Sequence, residues 1–146
     1  MHQDEQASSI ICNSPVGLQA IGFISGLAQN GKLGERTRLR IAIYLAAHGH
    51  SVFPLATLRQ RGRAVGMNGA EMNANEQGSS HDAMDTACLL FVKSMMEHAA
   101  APTALDLQGM YAVGYALNEI LEVMAQVCAN RLLAHMNEVI AAPIIL

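Results

Sequence analysis

Residues 35–47 read ERTRLRIAIYLAA, and the fold turns on how their apolar positions are spaced. Leu39, Ala42, Ile43 and Ala46 recur at steps of three and four, which is one face of a helix. Ile41, Tyr44 and Leu45 form a second face on the same helix. A helix with two apolar faces has to be covered on both, so this segment is expected to be central. On the N-terminal side, Asn13-Ser14-Pro15 places a capping side chain just before a proline suited to a first turn. Val16, Ala20, Phe23, Ile24 and Leu27 then recur at steps of three and four, one face of a first helix that runs to about Gln29 and ends at Asn30-Gly31.

Downstream, His48-Gly49-His50-Ser51 interrupts the central helix at a glycine, and Pro54 can sit in the first turn of the next. That third helix has a thin apolar side, Leu55, Leu58, Gly62 and Val65, opposite Arg59, Arg61 and Arg63. Residues 66–80, GMNGAEMNANEQGSS, are rich in Gly, Asn and Ser and show little periodicity, so they read as a loop holding at most one helical turn. Ser80 can cap a helix carrying Met84, Cys88, Phe91 and Met95 at steps of four, three and four, with Cys88 pointing inward. Thr103 and Asp106 have capping-box spacing before a short helix closed by Gly114. Asn118 can cap the longest helix, whose stripe is read as Leu121, Met124, Cys128, Leu132, His135 and Val139. Pro143 stops it, and Ile144-Ile145-Leu146 reads as a docked tail. About six helices in one all-α domain over residues 13–146, after a flexible stretch 1–12, are therefore expected.

Composition agrees with helices. The chain has 146 residues, 51% of them hydrophobic, with six aromatics and no Trp, so its core must be built largely from Ala, Leu, Ile, Val and nine Met. Only 14% of residues are charged, which is little for the outer skin of a monomer and suggests that some apolar surface meets another subunit. Nine basic against twelve acidic side chains leave a net charge of −3, without the excess a phosphate-backbone binder needs, so no nucleic-acid ligand is expected. The start of the chain, MHQDEQASS, is polar and acidic where an export signal is basic and then apolar, and no apolar run reaches membrane-spanning length. Cys12, Cys88 and Cys128 have no C-x-x-C or zinc-type spacing. Reduced thiols in cytoplasm, no membrane, no metal and no cofactor are the expectation.

The order of these elements resembles the carboxymuconolactone decarboxylase family, including its alkylhydroperoxidase D-like branch. NSPVGLQAIGFISGLAQNGKLGERTRLRIAIYLAA looks like the opening pair of helices. GRAVGMNGAEM looks like the family's A-x-x-A-G-L-(S/T)-x-x-E turn, and HDAMDTACLLFVKSMM like the helix after it. LDLQGMYAVGYALNEILEVMAQVCANRLLAHM is similar to the closing segment. The resemblance covers nearly the whole chain and implies a homo-oligomer, a trimer or a hexamer. In the peroxidase branch a C-x-x-C-x-x-x-H motif follows the second helix, where a thiolate attacks peroxide and its neighbour resolves the sulfenic acid. Carried onto this sequence, the cysteine positions are His50 and Phe53, the histidine position is Thr57, and Arg38 and Arg40 stand where the upstream acid is expected. The third-helix His of the decarboxylase branch is missing as well.

The resemblance therefore implies a related scaffold whose redox centre has been replaced, binding a small molecule or running non-thiol chemistry. Its site would be lined by His48, His50, Ser51, Phe53 and Thr57, with Asn130 and His135 supplied from the last helix. His50 is the candidate for proton transfer and His48 its companion. The residues alone leave plainer roles open. Imidazoles at a helix end cap exposed carbonyls, and side chains two apart diverge by about 200°, so one ion cannot take both without distortion at Gly49. Cys128 and His135 lie about 10.5 Å apart along the axis, too far to hydrogen-bond, and Cys128 and Cys88 both read as core. The arginines of the second and third helices read as a solvated face or an ion pair between subunits. A peroxidase using Cys88 or Cys128, and a non-catalytic structural oligomer, are the alternatives.

Overall fold

The two stripes on residues 35–47 fold as one helix between two apolar clusters. In the computed structural model, which describes residues 14–98 and 102–141, seven helices occur: α1 (Pro15–Asn30), α2 (Glu35–Ala47), α3 (Leu55–Ala64), α4 (Gly69–Glu76), α5 (Ala83–His98), α6 (Ala104–Ala112) and α7 (Leu117–Ala141). There is no strand among the described residues. The fold is all-α, as the sequence implies. Helix α2 packs against α3, α4, α5 and α7. Its Leu39 and Ile43 join Leu58, Met67 and Met72 in one cluster, while Ile41, Tyr44 and Leu45 join Leu89, Val92, Met110, Ile120 and Val123 in the other.

The helix beyond the six expected is α4. Residues 69–76 were expected to be loop, yet Asn68 Oδ1 accepts the Glu71 amide at 2.8 Å and starts two turns of helix. Its buried face is Glu71, Met72 and Asn75. Two of these three are polar, so no apolar rhythm marks the helix in sequence.

Glycine ends four helices in the same way. At the end of α2, Gly49 has φ +78°, the Gly49 amide donates to Ala46 O at 3.2 Å, and the His50 amide donates to Leu45 O at 2.8 Å. This paired closure needs a left-handed residue, which glycine adopts without a Cβ clash. Gly66, Gly78 and Gly114 repeat the pattern after α3, α4 and α6.

At the helix starts, some expectations hold and others shift. Ser14 Oγ accepts the Gly17 amide at 3.1 Å, and Thr103 and Asp106 form the reciprocal capping box. Pro54 precedes the first residue of α3 and serves as its N-cap residue. At α5 the cap is Asp82, whose Oδ1 accepts the Asp85 amide, while Ser80 Oγ accepts from Asp82 N and so supports the cap from outside. At α7 Asn118 is not the cap: Glu119 reaches back from the first turn to accept the Ala116 amide at 2.8 Å.

One stripe faces the other way from the sequence reading. On α7 the buried positions are Ile120, Val123 and Val127, while Leu121, Cys128, Leu132 and His135 are exposed and Met124 is partly buried. Cys128 is therefore not a core residue; Cys88 is. On α1, Val16, Ala20 and Phe23 are exposed. The side chains of Ile24, Leu27 and Val139, together with Cys12, the stretch 1–12, Pro143 and the last three residues, lie outside the described set.

Candidate functional site

The closure at Gly49 decides where the two histidines point. His48 is the C-cap residue of α2. Its ring lies 4.4 Å from that of Tyr44, and its Nε2 is 3.2 Å from Glu76 O at the end of α4. His48 therefore spans two helix termini, which is the capping role its position suggests. His50 lies beyond the glycine and is half-buried. Its pKa is lowered from 6.5, first by burial and then by the charges of Arg131, His48 and His135, with Glu138 opposing them. Arg131, His135 and Glu138 all belong to α7. The last helix thus brings the Arg131 charge, and the opposing charge of Glu138, to bear on the end of α2.

The other expected site residues are placed as follows. Ser51 Oγ accepts the Phe53 amide at 3.1 Å and so shapes the loop into α3. Phe53 is exposed, with the Arg61 guanidinium 5.1 Å from its ring centroid, a cation–π contact. Thr57 is half-buried in the first turn of α3. Asn130 is half-buried on α7 and donates from Nδ2 to Gln126 O at 2.8 Å. His135 Nδ1 sits 3.7 Å from Glu138 Oε2 on the exposed side of α7. No group of three or more His, Cys, Asp or Glu is placed to hold a metal ion among the described residues.

Arg40 has a role the sequence reading did not assign. Its Nη2 donates to Glu71 Oε1 at 2.7 Å, and its Nη1 lies 3.0 Å from Asp85 Oδ1. Arg36 Nη2 reaches the other oxygen of Glu71 at 2.8 Å. These groups join α2, α4 and α5 within one subunit, in place of the solvated face or intersubunit pair expected for Arg40. Burial works against the Glu71 charge, but the Arg40 and Arg36 guanidiniums outweigh it and hold the carboxyl below its usual 4.5. Asp85 goes the other way: burial lifts it, and Arg40 only partly offsets this. The only sequence signal was the Glu of GRAVGMNGAEM, three residues after a capping Asn. Arg38 instead donates to Leu33 O at 3.3 Å, and Arg59 pairs with Glu76.

Cys88 adjoins this cluster. It hydrogen-bonds the Tyr115 side chain, and burial pushes its thiol up to about 11. Such a group is almost wholly protonated at neutral pH and is a poor nucleophile. A separate slot of about 170 Å³ opens between α5 and α6, lined by Ala87, Leu90, Phe91, Leu105, Asp106 and Gly109. None of the expected site residues lines it.

Among solved structures, a protein of unknown function from Agrobacterium tumefaciens, described as a candidate antioxidant defence protein AhpD, superposes with a TM-score of 0.73. It is 13% identical, and the match covers 94% of this chain and 96% of that one. The fold is alkylhydroperoxidase D-like. No sequence model of a known family matches the chain, and neither does any curated protein. An identity this low carries the architecture and not the activity. No helix among the described residues is long and apolar enough to cross a membrane.

Proposed function

We propose that this alkylhydroperoxidase D-like chain binds a small organic molecule beside His50, with chemistry that does not use a thiol. The reading rests on one observation: His50 is half-buried at the α2 terminus, where burial and then the Arg131 charge favour its neutral form. A neutral imidazole can take a proton from a bound ligand. Arg131 supplies a permanent positive charge for an anionic group on that ligand. His48, Ser51, Phe53 and Thr57 line the near side of the site, and Asn130 and His135 the far side from α7. The resemblance that places the family's cysteine pair at His50 and Phe53 is part of this reading, as are a cytoplasmic setting and assembly into a trimer or hexamer.

Nuclear magnetic resonance of the histidine ring protons during titration with a panel of small carboxylic acids tests the proposal. A ligand that perturbs the His50 resonance in wild type, and binds at least tenfold more weakly to His50→Ala, supports it. Unchanged affinity in His50→Ala, or turnover that survives the substitution, removes His50 from the site.

The exposure of Cys128 favours a second reading, a peroxidase acting through that thiol. Peroxide consumption by wild type that disappears in Cys128→Ser would establish it over the first. Retention of the scaffold as a non-catalytic oligomer is the remaining alternative.

A further inference from the structure

Helix α1 carries no charge, and among its described side chains Val16, Leu18, Ala20 and Phe23 are exposed. Its sixteen residues, PVGLQAIGFISGLAQN, contain no Asp, Glu, Lys or Arg, and within the chain it packs mainly against α7. Val16, Ala20 and Phe23 follow the +4, +3 rhythm of a face meant for burial, yet Val16 is 75% and Phe23 70% exposed. The slot between α5 and α6 has the opposite relief. It is lined by Ala87, Phe91 and Gly109 together with Leu90 and Leu105, the latter 77% exposed. At about 170 Å³ the slot is smaller than a typical ligand pocket of roughly 300–1,000 Å³. It is suited to a single large side chain, and nothing would meet a Cβ at Gly109, so the approach is open.

We propose that the α1 ridge of one subunit seats in the α5/α6 slot of a second copy of this chain, with Phe23 as the anchor. Magnitudes favour another copy as the occupant. With roughly 150–200 Å² for each large apolar side chain, the exposed parts of Val16, Phe23, Leu90 and Leu105 amount to about 480 Å². An interface at the threshold of specific association, about 1,000 Å², draws most of its apolar share from that area. Ridge and slot are built from different residues of the same chain, so the contact pairs two unlike patches. Repeated around an axis it closes a ring in which every ridge and slot is filled. The proposal rests on the oligomeric part of the reading above and is independent of any ligand at His50.

Sedimentation equilibrium at tens of micromolar protein, with circular dichroism to verify helix content, provides the test. Wild type is expected to be oligomeric, and Phe23→Glu and Leu105→Glu each monomeric with unchanged helicity. Mixed in equal amounts, the two variants still own one intact slot and one intact ridge, so they should recover a species of two chains. If helicity drops in either variant, Phe23→Ser and Leu105→Ser replace it, since both side chains are exposed and the change is milder. A monomeric wild type overturns the oligomer and this interface together. An oligomeric wild type whose variants stay oligomeric, or whose monomeric variants fail to pair on mixing, overturns only the seating of α1 in the slot.

Discussion

Arg40 Nη2 donates to Glu71 Oε1 at 2.7 Å, and this contact joins the central helix α2 to the short helix α4, whose existence the sequence hides. Because the same guanidinium also reaches Asp85 on α5, the two carboxylates compete for one cation in a partly dehydrated place. Their opposite pKa shifts give opposite predictions. Glu71 sits below its ordinary 4.5, so its ionised form stabilises the fold above that pH, and the contribution fades as the pH falls through the folded value. Glu71→Gln should cost about 1.5–3 kcal/mol at pH 7, read from urea unfolding, with the gap to wild type closing below about pH 4.5. Loss of the gap only above neutral pH would contradict the assignment.

Asp85 has the reverse sign. Its pKa is raised, so the folded state favours the protonated acid, and stability is lost as the pH rises from 3.8 through the folded value. Asp85→Asn keeps an oxygen for Arg40 and removes a partly buried charge. It should therefore cost less than half of what Glu71→Gln costs at pH 7, measured in the same unfolding series. A larger cost would mean that the Arg40–Asp85 pair outweighs the burial of the carboxylate.

The contrast between α2 and α4 shows what the sequence can convey. In α2 apolar residues occupy two helical stripes, and both were legible because each buries carbon against carbon: Leu39 and Ile43 on one side, Ile41 and Leu45 on the other. In α4 the buried positions are Glu71 and Asn75 beside Met72; Glu71 is paired with Arg40, far away in sequence, and Asn75 donates from Nδ2 to Ser79 O just past the helix. No local pattern reports a charge that is buried because of Arg40. On α7 the failure was of another kind. Ile120, Val123 and Val127 alternate with Leu121, Cys128 and Leu132 around a helix apolar on several sides, and periodicity cannot say which stripe meets its own chain. At the candidate site, the glycine closure and the histidines were legible, whereas the approach of Arg131 to His50 depends on how α7 crosses α2.

Gly62 marks the closest packing in the smaller cluster. A Cβ built there would stand 2.7 Å from Met72 Sδ and 3.4 Å from Met67 Sδ, and both methionines are buried with little room to yield. Gly62→Ala gains helix propensity of about 1 kcal/mol relative to glycine. Overpacking of about 1–3 kcal/mol outweighs it, so the substitution should lower the thermal midpoint. Adding Met72→Leu, which removes the clashing sulfur, should restore part of the loss.

The two described thiols should separate cleanly. Cys128 is exposed, and Cys88 is buried, hydrogen-bonded to Tyr115 and shifted up to about 11. In a Cys12→Ser background at pH 7.5, a thiol reagent should modify one cysteine rapidly in the native protein and the second only on unfolding. Cys128→Ser should abolish the fast phase. A fast phase that persists would place Cys88 within reach of solvent and restore it as a candidate nucleophile.

His50 offers the most direct check on the candidate site. Burial and the charges of Arg131, His48 and His135 lower its pKa below 6.5. The unfolded chain therefore takes up this proton before the folded one does, and the group withdraws stability as the pH falls from about 6.5 through the folded value. Replacing Arg131 with Gln removes a repelling cation, so the His50 resonance should titrate at higher pH than in wild type. The Glu138→Gln change removes an opposing charge and should move the titration lower. If both variants leave the midpoint where it was, α7 does not face His50, and the far wall of the proposed site is lost with it.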